Sequence, residues 1–390
     1  MKYYVLDDYR KKESRTLNKK KLIKCIMILG VIIATLTIFS IYVANADFRA
    51  WIDINIFRKE ITENTGAIIE GDMEYDKYIY GYARNIVVLS KNKLENYNSN
   101  GKKEFEIDIE ITTPLFDTSG KYLCIAEKGG KKLYLISGEN IIWQKELEND
   151  IYNINVNHNG YVSVSHKTIV KMFDIDGKEI TTAYLSSTYA ADTAISNDNK
   201  ELAIAEINYS GSLIQSSVKV ISIEKAQTEP QNAVIYTYKA EAKNIILNIN
   251  YQENNTLICM FDNGIIKKVG ETITEEIKFD NDTIFADINL NGYMVEIKKR
   301  STGLFSSEAN VEIKQVSSGR INLYNTSILP KEIKTYKNII ALNLGTEVHF
   351  IHTNGWLIKK YTSTKDIKDV VICENMAGIV YKDKIELVNL

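Results

Sequence analysis

From Ile68 onward the chain repeats one unit with a period of about 40 residues, the range of repeats that stack into rings and solenoids. Each unit holds short apolar runs rich in Val, Ile and Tyr, separated by Asn, Asp, Gly and Ser. The fullest copy begins at Thr113 and ends at Leu147, and its runs are broken at Asp117-Thr118-Ser119-Gly120, Lys128-Gly129-Gly130 and Gly138-Glu139-Asn140. Related turns run from Asn98 to Gly101, Asn157 to Gly160, Asp174 to Gly177, Asn289 to Gly292 and Thr353 to Gly355. Asn or Asp ahead of Gly supplies the positive-φ positions that tight hairpins need, and runs this brief read as strands. Four-stranded hairpin sheets repeated at this spacing predict an all-β, eight-bladed β-propeller. First strands are expected near Tyr75, Thr113, Ile151, Asp192, Asn244, Ile284, Glu332 and Lys368. One miscounted hairpin would make the ring seven-bladed.

The last unit has room for only three strands before Leu390. A ring can be completed by a strand from its other end, which also removes an open sheet edge. The segment Ala67-Ile68-Ile69-Glu70 is the natural donor, expected to pair outside residues 384–388.

Ahead of the repeats stands an uncharged run from Cys25 to Ala44. Twenty residues at about 1.5 Å each reach about 30 Å, the thickness of a bilayer's hydrocarbon core. The preceding residues carry nine basic and three acidic side chains, a charge of +6 that keeps such a tail in the cytoplasm. The expected organisation is a basic cytoplasmic tail (1–24), a transmembrane helix (25–44), a juxtamembrane linker (45–65) and an extracytoplasmic propeller (66–390). The lipid bilayer is thus a partner through Cys25 to Ala44. Ala44-Asn45-Ala46 also has the small-x-small form of a signal-peptide cleavage site, the rival reading of this run.

The formal charge is −2 overall, so with +6 in the tail the remainder carries −8 without long acidic blocks. Nucleic acid, which demands a basic footprint, is not an expected partner. Of four cysteines, Cys25 lies in the apolar run, and Cys124, Cys259 and Cys373 sit inside strand-like runs, with no CxxC pair. These three are expected to be buried and unlinked.

Leu133 to Leu147, with Ser137-Gly138 followed by Ile141-Ile142-Trp143, resembles the repeat of quinoprotein-like propellers. There a glycine precedes a strand whose tryptophan packs between neighbouring blades. Gly101-Lys102-Lys103, Gly177-Lys178-Glu179 and Gly355-Trp356-Leu357 look like degenerate copies, with Phe105, Ile180 or Thr181, and Ile358 or Lys359 near the tryptophan place. The likeness covers most of the outer domain as architecture and one unit as motif, and no cofactor is expected from it. The whole arrangement of basic tail, single span and outer repeats is similar to an uncharacterised family of membrane-anchored propeller proteins from Gram-positive anaerobic bacteria, which implies a cell-envelope location.

No catalytic constellation stands out. His349 and His352, three apart in a strand, point to opposite faces, and His158 and His166 lie in other units, so no metal site is expected. Asp174, Asp176 and Gly177 lack the later glutamate of a calcium loop and read as a hairpin. No G-x-S-x-G, H-E-x-x-H or phosphate-binding glycine loop occurs. Two connections between second and third strands are long, 208–217 and 301–309. Leu213, Ile214, Leu304 and Phe305 at their tips are the candidate partner-binding residues, and Trp143 is the candidate packing residue. The expected role is a non-enzymatic envelope scaffold or assembly protein that binds an envelope protein or a cell-wall polymer. The alternatives are a transmembrane sensor and a degenerate quinoprotein-like enzyme.

Overall fold

The computed structural model describes residues 19–44, 66–73, 77–90, 92–270, 272–301 and 307–390, with isolated positions 48, 52 and 56. The chain divides into two compact units, residues 1–60 and 61–390.

The first unit contains a 26-residue helix, α1 (Lys19–Ala44). Its side chains from residue 26 to 41 are all exposed, among them Met27, Leu29, Val31, Leu36 and Phe39. Thr35 Oγ1 donates to the Val31 carbonyl at 2.7 Å and Thr37 Oγ1 to the Ile33 carbonyl at 2.8 Å, so these hydroxyls are satisfied within the helix. Among the described residues no helix is long and apolar enough to cross a membrane.

The second unit is eight antiparallel four-stranded sheets built from strands β1–β32 in chain order. Blades 1 to 7 occupy residues 78–108, 114–146, 153–184, 189–239, 246–278, 283–326 and 332–362. Blade 8 takes three strands from residues 369–389 and its fourth from β1 (Ile68–Glu70). Every first strand begins within three residues of the position expected from the turns. The turn glycines at 101, 160, 177, 292 and 355 all hold positive φ, between 68° and 86°. In four of these turns the residue three before the glycine receives backbone N–H groups on its own side chain, as Asn98 Oδ1 does from Asn100 and Lys102.

The blades pack face to face, so an inner strand is buried on both sides. In β7 (Tyr122–Glu127), Leu123 and Ile125 join the core shared with blade 1, while Cys124 and Ala126 join the core shared with blade 3. Period-two alternation therefore yields a continuous apolar run, and each buried Leu or Ile contributes about 1.5–3 kcal/mol. In the outer strand β9 (Asn140–Glu146) half-buried and exposed residues alternate. Cys124 and Cys259 occupy corresponding second strands, Cys373 a first strand, and all three are buried and unlinked. Burial pushes the thiols of Cys259 and Cys373 up to about 12.

Ring closure follows the sequence reading. Ile68, Ile69 and Glu70 pair with Glu386, Ile385 and Lys384 of β32 (Lys384–Asn389). The pairing extends outward through Gly66 N to Leu387 O at 2.8 Å and Leu387 N to Ala67 O at 2.9 Å. One element was not foreseen: the connection between the third and fourth strands of blade 4 holds a six-residue helix, α2 (Ile223–Thr228), whose N-cap Ser222 accepts from Lys225 N. A single 3-10 turn at Pro230–Asn232 follows it.

Candidate binding surfaces

Antiparallel order sends the turns between first and second strands, and between third and fourth, to one face of the ring. Connections between second and third strands, and the crossovers to the next blade, emerge on the opposite face.

The expected blade 4 loop lies on that second face, between β15 (Glu201–Asn208) and β16 (Gln215–Ser222). Its side chains Tyr209, Leu213 and Ile214 are 53%, 49% and 37% exposed. Asn208 Oδ1 accepts from the backbone N and the hydroxyl of Ser210, which folds the start of the loop on itself and leaves the apolar tip outward. The corresponding blade 6 loop joins β23 (Tyr293–Ser301) to β24 (Ser307–Gln315), on the same face by topology. Leu304 and Phe305 lie outside the described residues.

Trp143 sits between blades. Its Nε1 donates to the Ile175 carbonyl of blade 3 at 3.0 Å, and its ring lies 6.0 Å from that of Phe173. A Cβ on Gly177 would come within 3.0 Å of the indole, so the glycine in the blade 3 turn makes room for the tryptophan of blade 2.

The first strands enclose a central cavity of about 850 Å³ that extends to the turns between first and second strands. Its wall is polar because the first strands carry Asp or Asn where the inner strands carry aliphatic residues. From β6 (Pro114–Ser119), Asp117 accepts N–H groups from Thr118 and, across the blade boundary, from Val156 at 2.6 Å. From β14 (Tyr189–Ile195), Asp192 accepts from Thr193 N, from Asn153 Nδ2 at 3.0 Å and from Ile249 N at 2.9 Å. Each carboxylate thus ties its blade to the next. Burial pushes Asp117 up to about 7 and Asp192 up to about 6, against the lowering effect of those N–H donors. Asp117 keeps a partial opening onto the cavity while protein surrounds it on its other sides.

Sequence reasoning missed this wall, although the tripeptide Asn-Ile-Asn recurs at residues 153–155 and 248–250 and was the available signal.

The histidines do not converge. His158 is exposed at the cavity rim. His166 is buried with Nδ1 against the Asp150 carbonyl, and His349 meets the Tyr324 hydroxyl at 2.8 Å. Burial lowers the pKa of both. His352 Nδ1 accepts from Asn354 N, and its ring stacks on Trp356. Among the described residues no three His, Cys, Asp or Glu side chains are grouped to hold a metal ion.

Fold and surfaces together define an eight-bladed β-propeller with a polar central cavity and an apolar loop on one face. Residues 59–390 match the family described as Family of unknown function (DUF5711), and the chain belongs to it. No curated protein sequence matches. Among solved structures, BamB from Moraxella catarrhalis is similar with a TM-score of 0.51 and 11% identity, over 83% of this chain and 100% of that one. Chaetomium thermophilum Sqt1 bound to the N-terminus of the ribosomal protein L10 is similar with a TM-score of 0.54 and 10% identity, over 84% and 100%. At these identities the likeness is one of fold. That fold is compatible with a binding or scaffold role.

Proposed function

We propose that the chain is a membrane-anchored scaffold of the cell envelope, which binds a protein partner through the face that carries the connections between second and third strands and works without catalysis. The observation that carries this reading is the blade 4 loop, where Tyr209, Leu213 and Ile214 stand exposed together on a rigid ring. Exposed apolar side chains of this kind gain free energy when a partner buries them, and anchors on a rigid frame lose little conformational freedom in doing so. The protein named in the Sqt1 structure holds the N-terminus of another protein on a similar fold, which supports a protein partner over a cell-wall polymer.

The anchor reading rests on the uncharged run from Cys25 to Ala44, on the basic tail before it and on the exposed apolar surface of α1. The resemblance to anchored propeller proteins of Gram-positive anaerobes favours the same placement, with the ring outside the cell. Protease added to intact cells should remove residues 66–390 and leave the tail protected. Protection of the ring would reverse the topology.

For the binding face, Leu213, Ile214, Leu304 and Phe305 are changed together to Ser, and partners are captured by crosslinking in native cells. Loss of the captured protein with unchanged melting supports the face, and undiminished capture rejects it.

A further inference from the structure

The wall of the central cavity has a chemical bias that the blade-to-blade hydrogen bonds create. Asn153 Nδ2 faces the Ala191 carbonyl and the Asp192 carboxylate, each at 3.0 Å. Asn155 Nδ2 faces Asp117 Oδ2 at 3.2 Å, and Asn250 Nδ2 faces the Ile288 carbonyl at 3.4 Å. Asn248 Nδ2 faces Asn289 Oδ1, whose own amide nitrogen is turned to Asp287. Backbone carbonyls and ionised carboxylates only accept, so above the range where Asp117 and Asp192 release their protons they fix each amide with its nitrogen toward the protein. The Oδ1 atoms of Asn153, Asn155, Asn248 and Asn250 are left without a donor among the described residues. The cavity is therefore lined by amide acceptors from blades 3 and 5, together with the carboxylates of Asp117 in blade 2 and Asp192 in blade 4.

An acceptor-rich wall of this size does not suit a bare metal ion. Calcium draws six to eight oxygens to about 2.3–2.6 Å, whereas these oxygens come from separate blades around about 850 Å³. That volume lies in the range of organic ligand sites, roughly 300–1,000 Å³. An ammonium group offers three donors and no acceptor, which complements the wall.

We propose that the central cavity binds an organic cation with several ammonium groups, either a free polyamine or the lysyl side chains of a partner segment. At the rim Lys337 is itself engaged, 3.1 Å from Glu374 Oε1. The upward displacement of Asp117 and Asp192 is the response of carboxylates held by N–H dipoles with burial uncompensated, and an ammonium beside them reverses it. The proposal concerns the cavity alone and stands apart from the loop face.

The test exploits Leu247, a cavity-lining residue that is 56% exposed at the bulge of β18 (Ile246–Gln252). Its side chain makes no hydrogen bond, so Leu247→Lys should place a competing ammonium in the cavity and Leu247→Glu an added carboxylate, both with wild-type melting. Titration calorimetry of the purified full chain uses spermidine, a tri-lysine peptide, sorbitol and calcium chloride as probes. Saturable binding of spermidine or tri-lysine is expected, at least tenfold weaker in Leu247→Lys and at least threefold tighter in Leu247→Glu. Tighter binding of tri-lysine assigns the ammonium to a protein partner, and tighter binding of spermidine assigns it to a free polyamine. No binding of either amine at millimolar concentration overturns the proposal. So does binding untouched by both substitutions, or equal binding of sorbitol or calcium.

Discussion

Blade 2 and blade 8 have the same four-stranded plan and opposite connectivity. Blade 2 is four consecutive strands joined by tight turns, whereas blade 8 takes its outer strand β1 from a segment that precedes every other blade. Their outer strands are nevertheless covered alike. The turn at Gly177 packs on Trp143 of blade 2, and the turn at Gly101 packs on Ala67 and Ile68 of blade 8. The ring therefore selects for shape at the blade boundary, and connectivity is free to differ because loop-closure cost grows only slowly with loop length.

The largest effect should come from removing the borrowed strand. A chain that begins at Asp72 loses the β1 pairing and the bonds at Gly66 and Ala67, each worth about 1 kcal/mol net. Compared with one that begins at Glu63, its melting temperature should drop on the order of 10 °C, or it should aggregate through the exposed edge of β32. Equal melting curves would remove the special status of blade 8.

The next effect separates the two blades by a single methyl group. In Gly66→Ala the new Cβ would lie 2.4 Å from the Leu387 carbonyl oxygen, a contact between two backbones that must move one of them. In blade 2 the Cβ of Gly120→Ala meets nothing within 4 Å, and its cost comes only from a φ of 59°. Chemical denaturation should show a loss of about 1–2 kcal/mol for Gly120→Ala and a larger one for Gly66→Ala. The reverse order would contradict the close seam at β32.

Trp143→Phe keeps most of the packing between blades 2 and 3 and deletes the bond to the Ile175 carbonyl, at a cost of about 1 kcal/mol. A loss of stability above that of Gly66→Ala in chemical denaturation would show that the blade 2 boundary carries more of the stability than the seam at β32.

The last effect is a change with pH rather than a loss at one pH, and it is seated in blade 2. Native Asp117 holds its proton up to about pH 7, and in the unfolded chain a carboxyl releases it near pH 3.9 or so. Between these values the native state binds more protons, so this group's contribution is fully present at the acid end and is lost as pH rises through 7. Melting of Asp117→Asn should fall less than wild type from pH 4.5 to 7.5, by on the order of 5 °C. Parallel curves would remove Asp117 as the source.

The blades were legible because turn chemistry is local: Asn98, Asn157 and Asp174 each fold their own turn, and the glycine three residues on takes the positive φ. The donor strand was legible because eight units supplied one strand too few. Helix α2 was not, since six residues between Ser222 and Glu229 are too few for a helical periodicity to emerge. The cavity wall was hidden for a different reason. Asn155 and Asn248 lie in different blades, and only the ring makes them neighbours of the same cavity.

The seam between β1 and β32 also bears on how the ring is made. During synthesis Ile68 and Ile69 emerge first, and their partners Glu386 and Ile385 are more than 300 residues downstream. Seven blades can be complete while the circle still has two unfinished margins, one at each end of the chain. A product cut short before residue 384 keeps both margins bare at once, and a protease or chaperone that recognises unpaired strands can remove it before it reaches a partner.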